Sequence, residues 1–461
     1  MIRDVVIAGG GFVGVAAAAA LAGRRRVTVL EAHADVDPRF RGELIHPRGV
    51  DVLEGLGLRA PLARGGSVPI EGFAVVPGAD QRPVVLPYTS GNGLPARGLA
   101  MSHQAMVACL RAELAARPGI ELHAGHRVTG LLREGERVVG VKTATGERFF
   151  ADLIILADGR HSKLRGALGI DAEARLLSFT AALMLEELEV PHDRYGHVFL
   201  GAPGPVLVYP LDGRRARMCV DVPLGSEKGR DGLVRLLREA YAPFLPGELR
   251  AAMLRAAAAG EVELRANHAL HTRRAIAPGV ALVGDAGGCC HPLTATGLTT
   301  GLNDVRVLAE ELDATSTLDA ALVGYQRRRY HFVRARELLA EALYDVFRGA
   351  EAGPRALRSG MIRYWRGSVR ARAASMALLS GQESRLGAFV SEYLRVVGRA
   401  AHGLLRGEGE GSSWSRRVAI MSEIFRASYA KIEQSFFAAY RHTIHDFREL
   451  RTLSRAHRAR P

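Results

Sequence analysis

Apolar and polar positions alternate with two different periods along the chain, and the change from one to the other outlines the architecture. The apolar run Asp4 to Ala8 predicts a buried strand, Gly9 to Gly14 a small-residue turn, and Val15 to Gly23 a helix. Val27 to Glu31 then reads as a second strand ending in an acid. From Ile70 to Pro87, short β-rich runs broken by glycine and proline carry the chain into a separate sheet. Ser102 is placed to cap a helix over His103 to Ala115, apolar at Met106, Val107, Leu110 and Leu114. Ile120 to His123, Arg127 to Leu132, Val138 to Thr143 and Arg148 to Phe150 follow as a small β meander, and Leu153 to Ala157 as a buried strand.

Extended runs dominate residues 178–222, where the alternation in Arg217 to Val222 predicts a half-buried strand. Helical stretches are expected at Asp231 to Tyr241 and Glu248 to Ala259, a strand at Val280 to Val283, and a helix starting near Thr296 and Gly297. From Leu318 the pattern is almost wholly helical. It ends in an amphipathic helix at about Ser415 to Leu450, with Phe425, Tyr429, Phe436, Phe437, Tyr440 and Phe447 as a packing stripe. Arginines at 355, 358, 363, 366, 370 and 372 surround Met361, Ile362, Tyr364 and Trp365. A solvated helix face is the simpler reading of that segment, and contact with an anionic lipid surface the other.

Composition narrows the class. With 461 residues, 48% hydrophobic and 24% charged, the chain has room for a sizeable core in about two or three units. The net charge of +14 favours anionic partners, but only four of the 62 basic residues are lysine, a compositional habit rather than a site. Acids are interspersed through most of the chain and no nucleic-acid motif is present, which argues against nucleic acid. Four cysteines make no disulfide framework, so a reducing compartment is expected. The adjacent pair Cys289 and Cys290 reads as two small residues in a tight loop, with a redox couple or covalent cofactor attachment as the alternatives. Val5 to Gly23 is uncharged and long, yet its glycines favour strand, turn and helix over a membrane span. Met1 leads directly into the first strand, so a cytoplasmic protein is expected, with peripheral membrane contact as the only lipid association.

Three stretches carry candidate chemistry. In Gly9-Gly10-Gly11-Phe12-Val13-Gly14, Gly9 serves the turn, Gly11 the close approach of a pyrophosphate, and Gly14 the packing of helix on strand, while Glu31 suits ribose hydroxyls. Asp158-Gly159 opens a second loop before a helix at 161–168. Asp285 follows the strand at Val280, and the helix after Thr296 presents unfilled N–H groups to an electron-rich ligand edge. No metal-ligand spacing and no nucleophile elbow is present in the sequence.

In this order the three stretches resemble the flavoprotein monooxygenases of the para-hydroxybenzoate hydroxylase type. Gly42-Glu43-Leu44-Ile45-His46-Pro47, Leu86-Pro87-Tyr88 and His291-Pro292-Leu293-Thr294 narrow the likeness to the squalene monooxygenase (squalene epoxidase) branch. It continues through Val208-Tyr209-Pro210, Val220-Asp221, Ala342 to Phe347 and Leu378 to Gly381. The resemblance implies an α/β fold: a Rossmann-like FAD-binding domain with a β-meander (1–69, 96–175 and 275–345), an antiparallel-sheet substrate domain (70–95 and 176–274), and a helical C-terminal region (346–461). It implies FAD contacts at Gly9, Gly11, Phe12, Val13, Gly14, Glu31, Ala32, Arg39, Arg97, Val128, Asp158, Asp285 and Leu298.

Tyr88 would sit beside the flavin in a hydrogen-bonded pair with His46, where the family usually has glutamine; imidazole both donates and accepts, so it can make the same bond. The activity implied is O2-dependent epoxidation of an alkene in an apolar isoprenoid or prenylated substrate through a flavin hydroperoxide. NAD(P)H would supply the electrons, directly or through a separate flavin or NADPH-dependent reductase. The same motifs admit an aromatic hydroxylase as the alternative, with an isoprenoid double-bond reductase or a non-enzymatic lipid-binding protein behind it. The family's C-terminal helices are markedly apolar, whereas Leu386 to Leu405 is interrupted by Glu392, Arg395, Arg399 and His402, which points to a smaller or less membrane-bound substrate than squalene.

Overall fold

The computed structural model describes residues 2–433 except 79, 80, 91, 92, 171, 187, 189, 213, 227, 228, 350 and 408–412. A six-stranded sheet runs in the order Ile276–Ala277, Val280–Leu282, Leu153–Leu156, Asp4–Ala8, Arg26–Leu30, Ile120–His123. All its pairings are parallel except that of the first two strands. Its strands are runs of Val, Ile and Leu because both faces are covered, the helices Phe12–Leu21 and Gly297–Ala314 among the cover. The chain leaves Asp4–Ala8 to a neighbour on one side and returns to Leu153–Leu156 on the other, so a crevice opens beyond the carboxyl ends of the strands at this switch point.

The predicted meander is corrected in one respect. Ile120–His123 joins the parallel sheet beside Arg26–Leu30, and only Val128–Glu134, Arg137–Thr143 and Arg148–Phe150 form the three-stranded antiparallel unit. The helix His103–Ala115 begins at Ser102, whose Oγ accepts from Ala105 N at 3.4 Å.

The second sheet has seven strands, ordered Val262–Thr272, Ala172–Leu185, Arg215–Pro223, Val206–Asp212, Tyr195–Phe199, Gly72–Val76, Val84–Pro87. Its pairings are antiparallel except between Tyr195–Phe199 and Gly72–Val76. Residues from Gly229–Leu236 and Gly247–Ala259 pack on one face, and the C-terminal helices cover the other. Arg215–Pro223 is therefore not half-buried: Arg217, Met218, Val220, Asp221 and Val222 are all buried. The polar members tolerate this because each has a partner, Glu43 for Arg217 and Ser178 for Asp221.

After the helix Leu318–Arg348 come Ala352–Gly367, Val369–Ser380 and Leu386–Leu405. Gly360 lets two of these helices approach closely, since a Cβ there would lie 2.7 Å from the Ala400 nitrogen. Met361, Ile362, Tyr364 and Trp365 are buried. Residues 414–433 are helical, but Phe425 and Tyr429 are 55% and 68% exposed, because Ile420, Ile424 and Ser428 occupy the inward face instead. Phe436, Phe437, Tyr440 and Phe447 lie outside the described residues. Among the described residues no helix is long and apolar enough to cross a membrane.

Candidate active site

Gly9, Glu31, Asp158 and Asp285 each follow, within three residues, the end of one of four adjacent parallel strands, so residues far apart in sequence meet at one crevice. Gly9 has φ +112°, and a Cβ there would sit 2.5 Å from the Ala157 carbonyl oxygen. A Cβ on Gly14 would lie 1.9 Å from the Gly9 carbonyl oxygen, whereas one on Gly11 would meet nothing within 4 Å. The turn is thus closed against its own strands and open toward the crevice, the shape a pyrophosphate on a helix N-terminus requires.

Glu31 is fixed by Gly10 N–H at 2.7 Å, His33 N–H at 2.9 Å and Arg111 at 3.2 Å, which leaves capacity for ribose hydroxyls. Asp285 opens into the crevice while protein encloses its remaining sides; this burial raises its pKa, against the opposing pull of Arg160, Arg336 and Arg41. Burial likewise raises Asp158. A glycine turn open to the crevice, a strand-end carboxylate at Glu31 and the N-terminus of Gly297–Ala314 are the donor and acceptor types that FAD requires.

The loop carrying Asp285 is pinned from behind. Gly284 N–H donates to Asp304 at 2.8 Å, Asp304 pairs with Arg329 at 3.0 Å, and Arg329 and Arg165 donate to the carbonyls of Gly287 and Ala286, each at 2.9 Å. Val13 packs against Gly284 and Gly301, where any Cβ would press on it. Phe12 is buried, and Ala32 and Val128 are half-buried, Val128 pairing with Thr143 at the edge of the three-stranded unit. Leu298 faces Gly42, 3.2 Å from where a Cβ would stand.

Two arginines expected to contact the flavin each have an acidic partner within the chain. Arg39 pairs with Asp37 and is 57% exposed, and Arg97 lies 3.6 Å from Glu71 with the same exposure. Arg160, Arg336 and Arg41 are the cations whose fields reach Asp285, Arg41 while sharing Asp37 with Arg39 at 2.7 Å. Arg41 is covalently close to the Gly42-Glu43 motif and Arg160 to Asp158-Gly159; that adjacency was the only available signal for them.

His46 and Tyr88 form a fully enclosed pair. The Tyr88 hydroxyl lies 2.5 Å from His46 Nδ1, and His46 Nε2 lies 2.9 Å from the Thr294 carbonyl. A carbonyl can only accept, so the proton is on Nε2 and Tyr88 donates to Nδ1. Burial lowers the His46 pKa to about 4 and raises that of Tyr88, so both are neutral near pH 7. Beside them Glu43, only 2% exposed, takes two bonds of 2.9 Å from Arg217 and one of 3.0 Å from Tyr209. The Arg217 guanidinium sits 5.0 Å over the Phe40 ring. Neither Arg217 nor Tyr209 carried a sequence signal for Glu43.

An apolar cavity of about 110 Å³ lies between the seven-stranded sheet and the C-terminal helices. Phe73 and Leu86 form its sheet wall, Phe347, Trp365 and Phe389 its helical wall, and Leu293 and Thr294 its end at the flavin loop. Among the described residues Glu392 is its only charged lining residue, held by Tyr364 at 2.7 Å and by Arg395.

A squalene epoxidase family model matches residues 150–408. Squalene epoxidase erg1 of Aspergillus fumigatus is 30% identical over 407 residues, spanning 84% of this chain and 82% of that protein. Squalene monooxygenase of Mus musculus is 29% identical, with 79% and 65% covered. Among solved structures, PqsL of Pseudomonas aeruginosa, a probable FAD-dependent monooxygenase, has a TM-score of 0.64 at 24% identity, covering 77% of this chain and 99% of its own. Klebsiella pneumoniae HpxO, complexed with FAD and uric acid, has a TM-score of 0.68 at 22% identity, covering 82% and 97%. These two share the fold. With the family match spanning more than half of its length, the chain belongs to the squalene epoxidase family, whose members are FAD-dependent monooxygenases.

Proposed function

We propose that the enzyme transfers one atom of O2 to a carbon–carbon double bond of an isoprenoid chain, giving an epoxide, while the second atom leaves as water with two electrons and two protons. The apolar cavity that ends at Leu293 and Thr294, beside the flavin crevice, carries this reading. Bound FAD supplies the activation of O2. Gly9, Gly11, Gly14, Glu31, Ala32, Asp158 and Asp285 hold it, and Phe12, Val13, Val128 and Leu298 shape its walls. Arg39 and Arg97 stay with Asp37 and Glu71 unless the cofactor draws them in.

The chain's own residues orient and exclude water. The helix Gly297–Ala314 directs its first N–H groups at the ring edge and stabilises charge there. Tyr88 and His46, neutral and mutually bonded, hold the site's floor without titrating near pH 7. An alkene needs no protein base, and an apolar wall suits it, whereas a phenol hydroxylase gains from a polar group that promotes phenolate character.

Electrons come from NAD(P)H, directly or through a separate reductase. We place the protein in the cytoplasm and read the arginine-rich Ala352–Gly367 segment as a solvated helix face, since its Met361, Ile362, Tyr364 and Trp365 are buried against the body. The test is to offer the reduced enzyme and O2 a panel of squalene, farnesylated aromatics and simple phenols, and to identify products by mass. One added oxygen on an alkene is expected. Oxygen only on an aromatic ring overturns the epoxidation reading, and two added hydrogens without oxygen point to a reductase.

A further inference from the structure

The flavin loop is tied to the substrate sheet by a buried polar cluster that the proposed chemistry does not use. Ser178, Asp221, Asn267 and His291 are each at most 5% exposed. Ser178 Oγ donates to Asp221 Oδ1 at 2.5 Å and accepts from Asn267 Nδ2 at 2.9 Å; His291 Nε2 lies 2.9 Å from the same oxygen. Leu293 N–H donates to His291 Nδ1 at 3.1 Å, which leaves the ring proton on Nε2, directed at Ser178. The Tyr344 ring stacks on His291 at 4.0 Å. A shift of register between Leu176 and Ser178 marks a bulge just before the serine, a device that re-aims a side chain.

Serine, histidine and aspartate together suggest a hydrolytic triad, but the geometry rules it out. The aspartate bonds the serine rather than His291 Nδ1, and Ser178 has no exposed surface. What the cluster does hold is the turn Pro292–Thr294, which His291 caps by accepting from Leu293 N–H. That turn presents Leu293 to the apolar cavity and the Thr294 carbonyl to His46 Nε2. It ends in Ala295 at φ +51°, a left-handed conformation that costs a non-glycine residue about 1 kcal/mol and persists only where its surroundings impose it.

We propose that His291 is a positioning residue: anchored on Ser178 of the substrate sheet, it sets the turn at 292–294, and so fixes both the cavity's end and the tautomer through which His46 accepts from Tyr88. The line runs unbroken from Asp221 through Ser178 and His291 to the turn, and from Thr294 through His46 to Tyr88. It registers the sheet that covers the substrate with the loop that carries the flavin. The inference deepens the epoxidation reading and rests on it for its catalytic consequence.

Ser178→Ala removes the hydroxyl anchor and the cap remains, leaving His291 Nε2 only its 3.4 Å contact with Asp221 Oδ1, and Ser178→Thr restores the hydroxyl. Three quantities are read: FAD per protein, the low-field proton resonance of the Tyr88–His46 bond (assigned by its loss in Tyr88→Phe), and peroxide released per O2 consumed. Ser178→Ala is expected to keep FAD within about twofold, to shift or broaden the resonance, and to raise peroxide release several-fold, all reversed in Ser178→Thr. His291→Asn, which retains an acceptor for Leu293 N–H, is expected to do the same. A resonance and a peroxide yield unchanged in both variants overturn the positioning role. So does unfolding of both, which would make the cluster a stability element. A shifted resonance in an enzyme that oxygenates no isoprenoid leaves the positioning intact and removes the epoxidation reading instead.

Discussion

Gly11 and Gly14 lie three residues apart in one turn and answer to different constraints. A Cβ at Gly14 collides with the Gly9 carbonyl at 1.9 Å, while a Cβ at Gly11 projects into open crevice. Gly14→Ala is therefore expected to lower thermal stability and FAD content together. Gly11→Ala should fold with a wild-type melting temperature and still lose at least about tenfold in FAD affinity, because the methyl occupies the pyrophosphate's approach. Thermal melts of the apoproteins beside FAD titration separate the two.

His46 gives a second test at this scale. Its pKa falls from 6.5 to about 4 through burial, so the unfolded chain takes up its proton first as pH drops. The stability tied to neutral His46 is fully present above pH 6.5 and declines by about 3 kcal/mol toward pH 4. His46→Gln removes this dependence, so its melting temperature should fall less than that of the wild type between pH 7 and pH 4. His103 and His197, also lowered to about 4 by burial, keep part of the acid sensitivity in both proteins.

Among elements, the strands are held to their neighbours by ion pairs whose burial decides their worth. Glu43, entering the strand Leu44–Ile45, and Arg217, within Arg215–Pro223, are 174 residues apart and desolvated together. Removing one partner strands a buried charge. Glu43→Leu is expected to cost roughly 3–5 kcal/mol in denaturant unfolding, and Glu43→Leu with Arg217→Met to recover most of it.

His271 joins Val262–Thr272 to the helix Leu318–Arg348 through Glu337 at 3.1 Å, and the hydrogen bond to that carboxylate raises its pKa, against burial and the nearby Arg334 and Arg273. The sign is opposite to that of His46: this stabilisation is complete below the unfolded histidine's pKa and disappears as pH rises through the folded one. The gap in melting temperature between wild type and His271→Ala should therefore be wider at pH 5.5 than at pH 8.5. It should also be small, since the imidazole is 39% exposed and solvent screens the pair.

At the scale of the molecule, the apolar cavity is where two layers meet without filling the space between them. An apolar ligand completing that interior binds the folded state alone, so at about 100 times its Kd it should add roughly 2.7 kcal/mol and raise the melting temperature by a few degrees. Met376→Trp, which fills the cavity from the helical wall, should abolish that shift while leaving FAD content unchanged. Calorimetry with and without an isoprenoid alkene checks both.

The sequence by itself determined what is local. The glycine turn, the capped helix His103–Ala115 and the strands preceding Glu31, Asp158 and Asp285 are specified by neighbouring residues, through turn sterics, side-chain caps and runs of buried aliphatics. The family motifs around His46, Tyr88 and His291 were legible in the same way, each as a short segment. Only the tertiary structure decided what those segments meet. Hydrophobic burial is non-directional, so the apolar pattern of Arg217 to Val222 fits one covered face or two, and the second face exists only because the C-terminal helices pack there. Charged residues follow the same logic. Which arginines lend their charge to Asp285, whether Arg217 finds Glu43, and whether Phe425 lies inward or outward depend on partners brought close by chain closure. Pairings such as Ser178 with His291, 113 residues apart, leave no periodicity in the chain, because the energy that selects them is the desolvation penalty each would suffer alone.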